Sequence, residues 1–153
     1  MAVSPNSARL RKLMKETVDI ARNVQVISLT GAGATKTLAA SESGAVILMG
    51  GSDESTLTLP PVTDGLWFKV FVTTEHEHVI QAQSDVMQGN YRHNSATTTM
   101  TRVAIADKGK LTLHSSGRAI GDTLEFYSDG TNWYVNGLVA GDNTDITASA
   151  FSS

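Results

Sequence analysis

From Val24 onward, apolar residues fall at alternate positions in short runs separated by Gly, Asp, Asn and Ser, the pattern of half-buried strands. The runs predict strands near 24–30, 35–40, 45–50, 55–60, 66–73, 77–83, 99–106, 110–114, 122–128 and 131–137, with a short final strand in GDNTDITASAFSS. This spacing predicts an all-β body over residues 24–153, a β-sandwich or jelly roll. The period differs before Val24. SPNSARLRKLMKETVDIARN carries Leu10, Leu13, Met14, Val18 and Ala21 as a helical stripe, with Ser4 as N-cap, Pro5 at the first helical position and Asn23 as the stop. An N-terminal helical arm over residues 1–23 is expected. A heptad reading through Leu10, Leu13, Thr17, Ile20, Val24 and Ile27 spans under three heptads and includes a threonine, too short to specify a coiled coil.

Two segments expose the balance of core and surface. GDTLEFYSDGTNWYVNG, residues 121–137, gathers four of the nine aromatic residues around an Asp-Gly step, the strongest short-range hairpin signal. A two-residue tip at Asp129 and Gly130 sets Phe126 opposite Trp133 and Leu124 opposite Val135 on one face. Glu125, Tyr127, Asn132 and Tyr134 take the other. Phe126 and Trp133 then belong to the core, and Tyr127 and Tyr134 are available to a partner. In LWFKVFVT, Leu66, Phe68, Val70 and Val72 form a core face, while Trp67 and Phe71 lie on the reverse and also need cover. That cover could come from the helix, from the second sheet or from a neighbouring copy. QSDVMQGNYRHNSATTT, residues 83–99, shows no clear period and reads as a mobile or functional loop.

Composition narrows the classes. A chain of 153 residues matches one domain with an appendage, and the absence of cysteine excludes disulfides, thiolate metal sites and a cysteine nucleophile. Net charge is −3, but residues 1–23 hold five basic and two acidic side chains, leaving the rest at −6. A basic head and an acidic body are expected to meet different surfaces. No run has the length of a transmembrane helix and no apolar h-region opens the chain; Glu16 and Asp19 also argue against a mitochondrial leader.

Chemical motifs are sparse. His76 and His78 in TTEHEHVI would share one face of a strand and could share a metal as in the cupin H-x-H step. The positions where a cupin places its glutamate are Ala82 and Gln83, and His93 or His114 could complete a site only through the fold. There is no G-x-S-x-G elbow. TGAGAT lacks the third glycine of a dinucleotide fingerprint, no long helix follows it, and it reads as a turn between strands; GDNTD lacks the acidic spacing of an EF-hand loop. Nucleic-acid binding would rest on Arg9, Arg11, Lys12, Lys15 and Arg22, a helix face without interleaved aromatics. No cofactor, metal or nucleic acid is expected.

TLTLPPVTDGLWFKVFV has the strand, Leu-Pro, Gly and apolar strand that recur in bacteriophage structural proteins, and GDTLEFYSDGTNWYVNG resembles the hairpin found with it. The resemblance is to β-sandwich and jelly-roll modules of virion surface proteins, including head decoration (cement) proteins and fibres. It implies a non-enzymatic protein that sits as a homotrimer on the outer surface of the capsid and stabilises the shell. Under that reading the arm residues Arg9, Leu10, Arg11, Lys12, Leu13, Met14, Lys15 and Ile20 dock on the major capsid protein, and Trp67, Phe71 and Tyr134 form the subunit interface. Two alternatives stand beside it. One is a fibre or receptor-binding module gripping a host glycan through Asn90, Tyr91, Arg92, His93 and Asn94; the other is a cupin-like metal enzyme built on His76 and His78.

Overall fold

The computed structural model describes residues 24–94, 100–115, 120–140 and 146–151. The expected helical arm, with every arm residue named for capsid docking, lies outside them. Among the described residues, twelve strands form two mixed sheets. Strands β1 (Val26–Leu29), β3 (Val46–Met49) and β5 (Asp64–Val72) run parallel in a seven-stranded sheet, while β2 (Thr35–Thr37), β4 (Ser55–Thr58) and β6 (His78–Gln81) run parallel in a five-stranded one. The chain therefore alternates between sheets and winds like a flattened coil. Each circuit sets a residue beside one 20 to 23 positions later: Val26 by Val46, Val46 by Lys69, Thr35 by Thr56, Ser55 by His78.

The winding then changes. Strand β7 (Met87–Asn94) returns to the larger sheet and pairs antiparallel with β8 (Met100–Lys108), which forms its edge. Strand β9 (Lys110–Leu113) extends the smaller sheet antiparallel to β6, and β12 (Ile146–Ser149) pairs antiparallel with β9 at its edge. The hairpin of β10 (Thr123–Asp129) and β11 (Trp133–Ala140) inserts between β5 and β7. Strand order in the larger sheet is β1-β3-β5-β10-β11-β7-β8, and in the smaller β12-β9-β6-β4-β2. The two-sheet, all-β expectation holds. With half of the pairings parallel, the strand order is not that of a jelly roll, whose strands are antiparallel.

Alternation decides what is buried. Ile47, Met49, Phe68, Val70, Leu124, Phe126 and Trp133 point from the larger sheet onto Leu57, Leu59, Ile80, Leu111 and Leu113 of the smaller. Within the hairpin, the faces are as expected but the partners are displaced by two residues. Ser128 lies opposite Trp133, Tyr127 opposite Tyr134 and Phe126 opposite Val135. The tip is Gly130 and Thr131, because Asp129 pairs back to Asn132 through its N–H (3.3 Å) while its carboxylate Oδ1 accepts the N–H groups of Thr131 and Asn132, both at 2.8 Å. Gly130 supplies the positive φ (86°) at the first tip position, as a type II′ turn requires. Trp133 accordingly packs on Phe68, with ring centroids 5.8 Å apart, and its indole N–H donates to the Pro60 carbonyl at 3.3 Å.

Residues 83–99 are a second correction. Residues 87–94 of the expected loop are strand β7, held between β11 and β8 with Met87, Tyr91 and His93 buried. Its signal is masked by Gly89, which occupies an inward position where another strand would carry an apolar side chain. A Cβ at Gly89 would run into the Val135 carbonyl of β11, and φ there is 127°. The TGAGAT segment is the expected turn, joining β1 to β2. GDNTD lies outside the described residues.

Candidate functional site

The histidine pair does not share a face. Strand β6 begins only at His78, which is fully buried with Nδ1 at 2.8 Å from Ser55 Oγ and Nε2 at 3.3 Å from Thr74 Oγ1; His76 is exposed in the preceding bend. Both ring nitrogens of His78 are spent on hydroxyls, so it knits β4 to β6 rather than offering a ligand. Among the described residues, no group of three or more His, Asp or Glu side chains is placed to hold a metal ion.

One cluster has the order of a nucleophile relay. His114 Nδ1 lies 3.0 Å from Glu77 Oε2, and its Nε2 lies 2.8 Å from Thr147 Oγ1. Acyl transfer also needs N–H donors aimed at a developing oxyanion and a concavity that excludes water. Thr147 stands exposed on the edge strand β12. We read the set as a polar clasp tying β12 to the loop before β6.

The outer face of the seven-stranded sheet is different in kind. Register brings Trp67 of β5, Tyr127 of β10 and Tyr134 of β11 into one row across three adjacent strands, at exposures of 40, 48 and 45%. One row further along stand Val26, Val46, Lys69, Glu125, Asn136 and Asn90; beyond it stand Ser28, Leu48, Phe71, Thr123, Leu138 and Arg92. The three residues expected at a subunit interface thus share this face, but in two settings. Trp67 and Phe71 lie on β5 beside the half-buried Val46 and Leu48, and the indole lies at Gly44, where an added Cβ would meet it at 3.6 Å. Tyr134 lies two strands away, in polar company.

That polar company is ordered by charge. Glu125 Oε1 accepts from Lys69 Nζ at 2.9 Å and its Oε2 accepts the Tyr127 hydroxyl at 3.2 Å. The ammonium, foremost, holds the Glu125 carboxyl below the usual carboxylate range. Partial desolvation, then the Glu125 charge, raises the Tyr127 phenol. The Tyr134 hydroxyl donates to Asp129 Oδ2 at 3.0 Å, and that bond raises its own pKa. The two tyrosines lean apart, one along its strand and one toward the hairpin tip, each pinned through its hydroxyl.

Beside Tyr127 and Tyr134 the face sinks into a depression of about 370 Å³ lined by Arg92, Met100, Thr123, Glu125, Asn136 and Leu138. A second depression of about 280 Å³, at Ile120 and Gly121, shares Met100 and Leu138 with it. Arg92 of β7 is directly opposite Arg102 of β8, and both are exposed. Among the described residues neither guanidinium has an ion pair.

The glycan-binding set expected at residues 90–94 is divided by the strand. Tyr91 and His93 face the core, the former donating its hydroxyl to the Ile146 carbonyl at 3.2 Å, whereas Asn90 and Arg92 share the outer face. The Asn94 side chain lies outside the described set. Sequence reading missed Arg102, Thr123, Asn136, Leu138 and Met100, which meet only through strand pairing. The available signal was alternation: Gln88, Asn90 and Arg92 interleave with Met87, Tyr91 and His93.

Comparison with protein-family models, with curated proteins and with solved structures finds no match to this chain. Among the described residues no helix is long and apolar enough to cross a membrane.

Proposed function

We propose that this chain is a non-enzymatic structural protein of a bacteriophage virion that decorates the outside of the head as a homotrimer and stabilises the shell. The observation that carries this reading is the outer face around β5, which the described residues leave open at Val26 and Trp67. These two flank half-buried Val46, Leu48 and Phe71, with Lys69 Nζ 5.2 Å from the Phe71 ring centroid, and exposed apolar surface rimmed by polar groups marks protein contact. The resemblance of residues 56–72 and 121–137 to virion modules, and the charge contrast between residues 1–23 and the body, agree with it.

In this mechanism Trp67 and Phe71, with Tyr134 at the margin, bury against a neighbouring subunit. The arm residues Arg9, Arg11, Lys12 and Lys15 meet acidic surface of the major capsid protein, and Leu10, Leu13, Met14 and Ile20 enter an apolar groove. Three arms on one trimer multiply weak contacts into firm attachment. Native mass spectrometry of the full chain should report a trimer, and Trp67→Ser with Phe71→Ser should give a folded monomer. A wild-type chain that stays monomeric at high micromolar concentration would remove the subunit contact. Failure of the full chain to sediment with purified heads would remove decoration.

A further inference from the structure

Arg92 and Arg102 stand directly opposite each other on β7 and β8, where like charges weaken strand pairing. Among the described residues no carboxylate pairs with either guanidinium: Glu125, the carboxylate of the adjoining depression, is already held by Lys69. The depression itself mixes ligand-binding groups of three kinds. Arg92 offers a planar fork suited to a carboxylate or sulfate, Thr123 and Asn136 offer hydroxyl and amide groups, and Leu138, Met100 and the neighbouring Tyr127 ring offer apolar faces. Its volume of about 370 Å³ falls within the range of small-molecule sites, roughly 300–1,000 Å³. The hydrogen bond from Tyr127 to Glu125 of the lining sets its ring before any ligand arrives.

We propose that this depression binds an acidic saccharide, with Arg92 and Arg102 taking its carboxylate or sulfate, Thr123 and Asn136 its hydroxyls, and Tyr127 at the margin the apolar face of a sugar ring. The charge pattern selects the occupant. A neutral glycan would leave the arginine pair uncompensated, and a purely inorganic anion would leave the aromatic and amide groups without a role. The site lies on β7, β8, β10 and β11, apart from the patch on β1, β3 and β5 assigned to subunit contact, so each can fail without the other.

The test is isothermal titration of the full chain with an oligogalacturonate, its neutral methyl ester, a heparin-derived oligosaccharide and inorganic sulfate. At least one acidic oligosaccharide should bind, more weakly as salt rises. The better of the two tells whether carboxylate or sulfate is the preferred anion. Arg92→Gln and Arg102→Gln should each lower affinity about tenfold or more, as expected for a lost charge-assisted hydrogen bond. Both variants should melt at or above the wild-type temperature, since the repulsion is relieved, which separates ligand loss from misfolding. Asn136→Ala should also weaken binding, while Trp67→Ser with Phe71→Ser should not. The proposal is overturned if neither acidic oligosaccharide binds at millimolar concentration, or if the arginine variants bind as wild type does. It is equally overturned if the methyl ester matches its acid, or if sulfate matches the oligosaccharides.

Discussion

Among the described residues, Glu125, Glu42 and Asp129 are carboxylates whose surroundings couple stability to pH. Glu42 accepts Lys36 Nζ at 2.8 Å and the Ala39 N–H at 2.8 Å, closing the 3₁₀ turn at Ala40–Glu42, and the lysine is the main cause of its lowered pKa. Glu125 is lowered by Lys69, and Asp129 by the backbone N–H groups of Asn132 and then Thr131. All three therefore titrate in the folded protein below their usual values near 4.5 and 3.8. In that window the unfolded chain binds more protons, so these groups stabilise the fold at neutral pH, and the gain is lost as pH falls through their folded values. Partly exposed pairs limit Glu42 and Glu125 to no more than about 1 kcal/mol each. Urea denaturation between about pH 7 and 3 should show stability falling below about pH 5, with a shallower fall in Glu42→Gln/Glu125→Gln. An unchanged slope in the double variant would assign acid sensitivity to other groups.

Strand β7 is the element on which fold and site both depend, because it joins the inserted hairpin to the edge strand β8 and carries Arg92. Its approach to β11 requires Gly89, since any Cβ there meets Val135 backbone at a φ that L-residues rarely adopt. Gly89→Ala should cost about 2–4 kcal/mol, the combined effect of strain and overpacking, and should weaken saccharide binding through displacement of Arg92. An equilibrium unfolding midpoint equal to wild type would mean that the two strands are not this close in solution. The same glycine explains why β7 was illegible: it interrupts the alternation of Met87, Tyr91 and His93, and its neighbours Gln88, Asn90 and Arg92 have a loop-like composition. Where alternation was unbroken, as in Leu66, Phe68, Val70 and Val72, the buried face could be read directly. In the hairpin, composition fixed which residues share a face but not their partners. A two-residue slip preserves every face, and the choice was made by the Asp129 carboxylate, a contact that periodicity cannot reveal.

At the scale of the whole molecule, the alternation of successive strands between two sheets means that stability is passed between neighbours across long stretches of sequence. In the larger sheet β5, β10 and β11 are flanked on both sides, whereas β1 leans only on β3. In the smaller sheet β2 pairs only with β4 and β12 only with β9. Amide hydrogen exchange should therefore be slowest in β5, β10 and β11, with protection approaching the global unfolding free energy, and fastest in β1, β2 and β12, which can open without disturbing the core. The prediction also bears on assembly. Val26 projects from β1 onto the same outer face as Trp67 and Phe71, so a subunit or arm seated on that patch would protect β1 as well. In the proposed wild-type trimer β1 should exchange more slowly than in the Trp67→Ser/Phe71→Ser variant, while β2 and β12, on the other sheet, should exchange alike in both. Equal exchange of β1 in the two proteins would place the subunit contact away from this edge; slowing of β2 and β12 instead would move it to the smaller sheet.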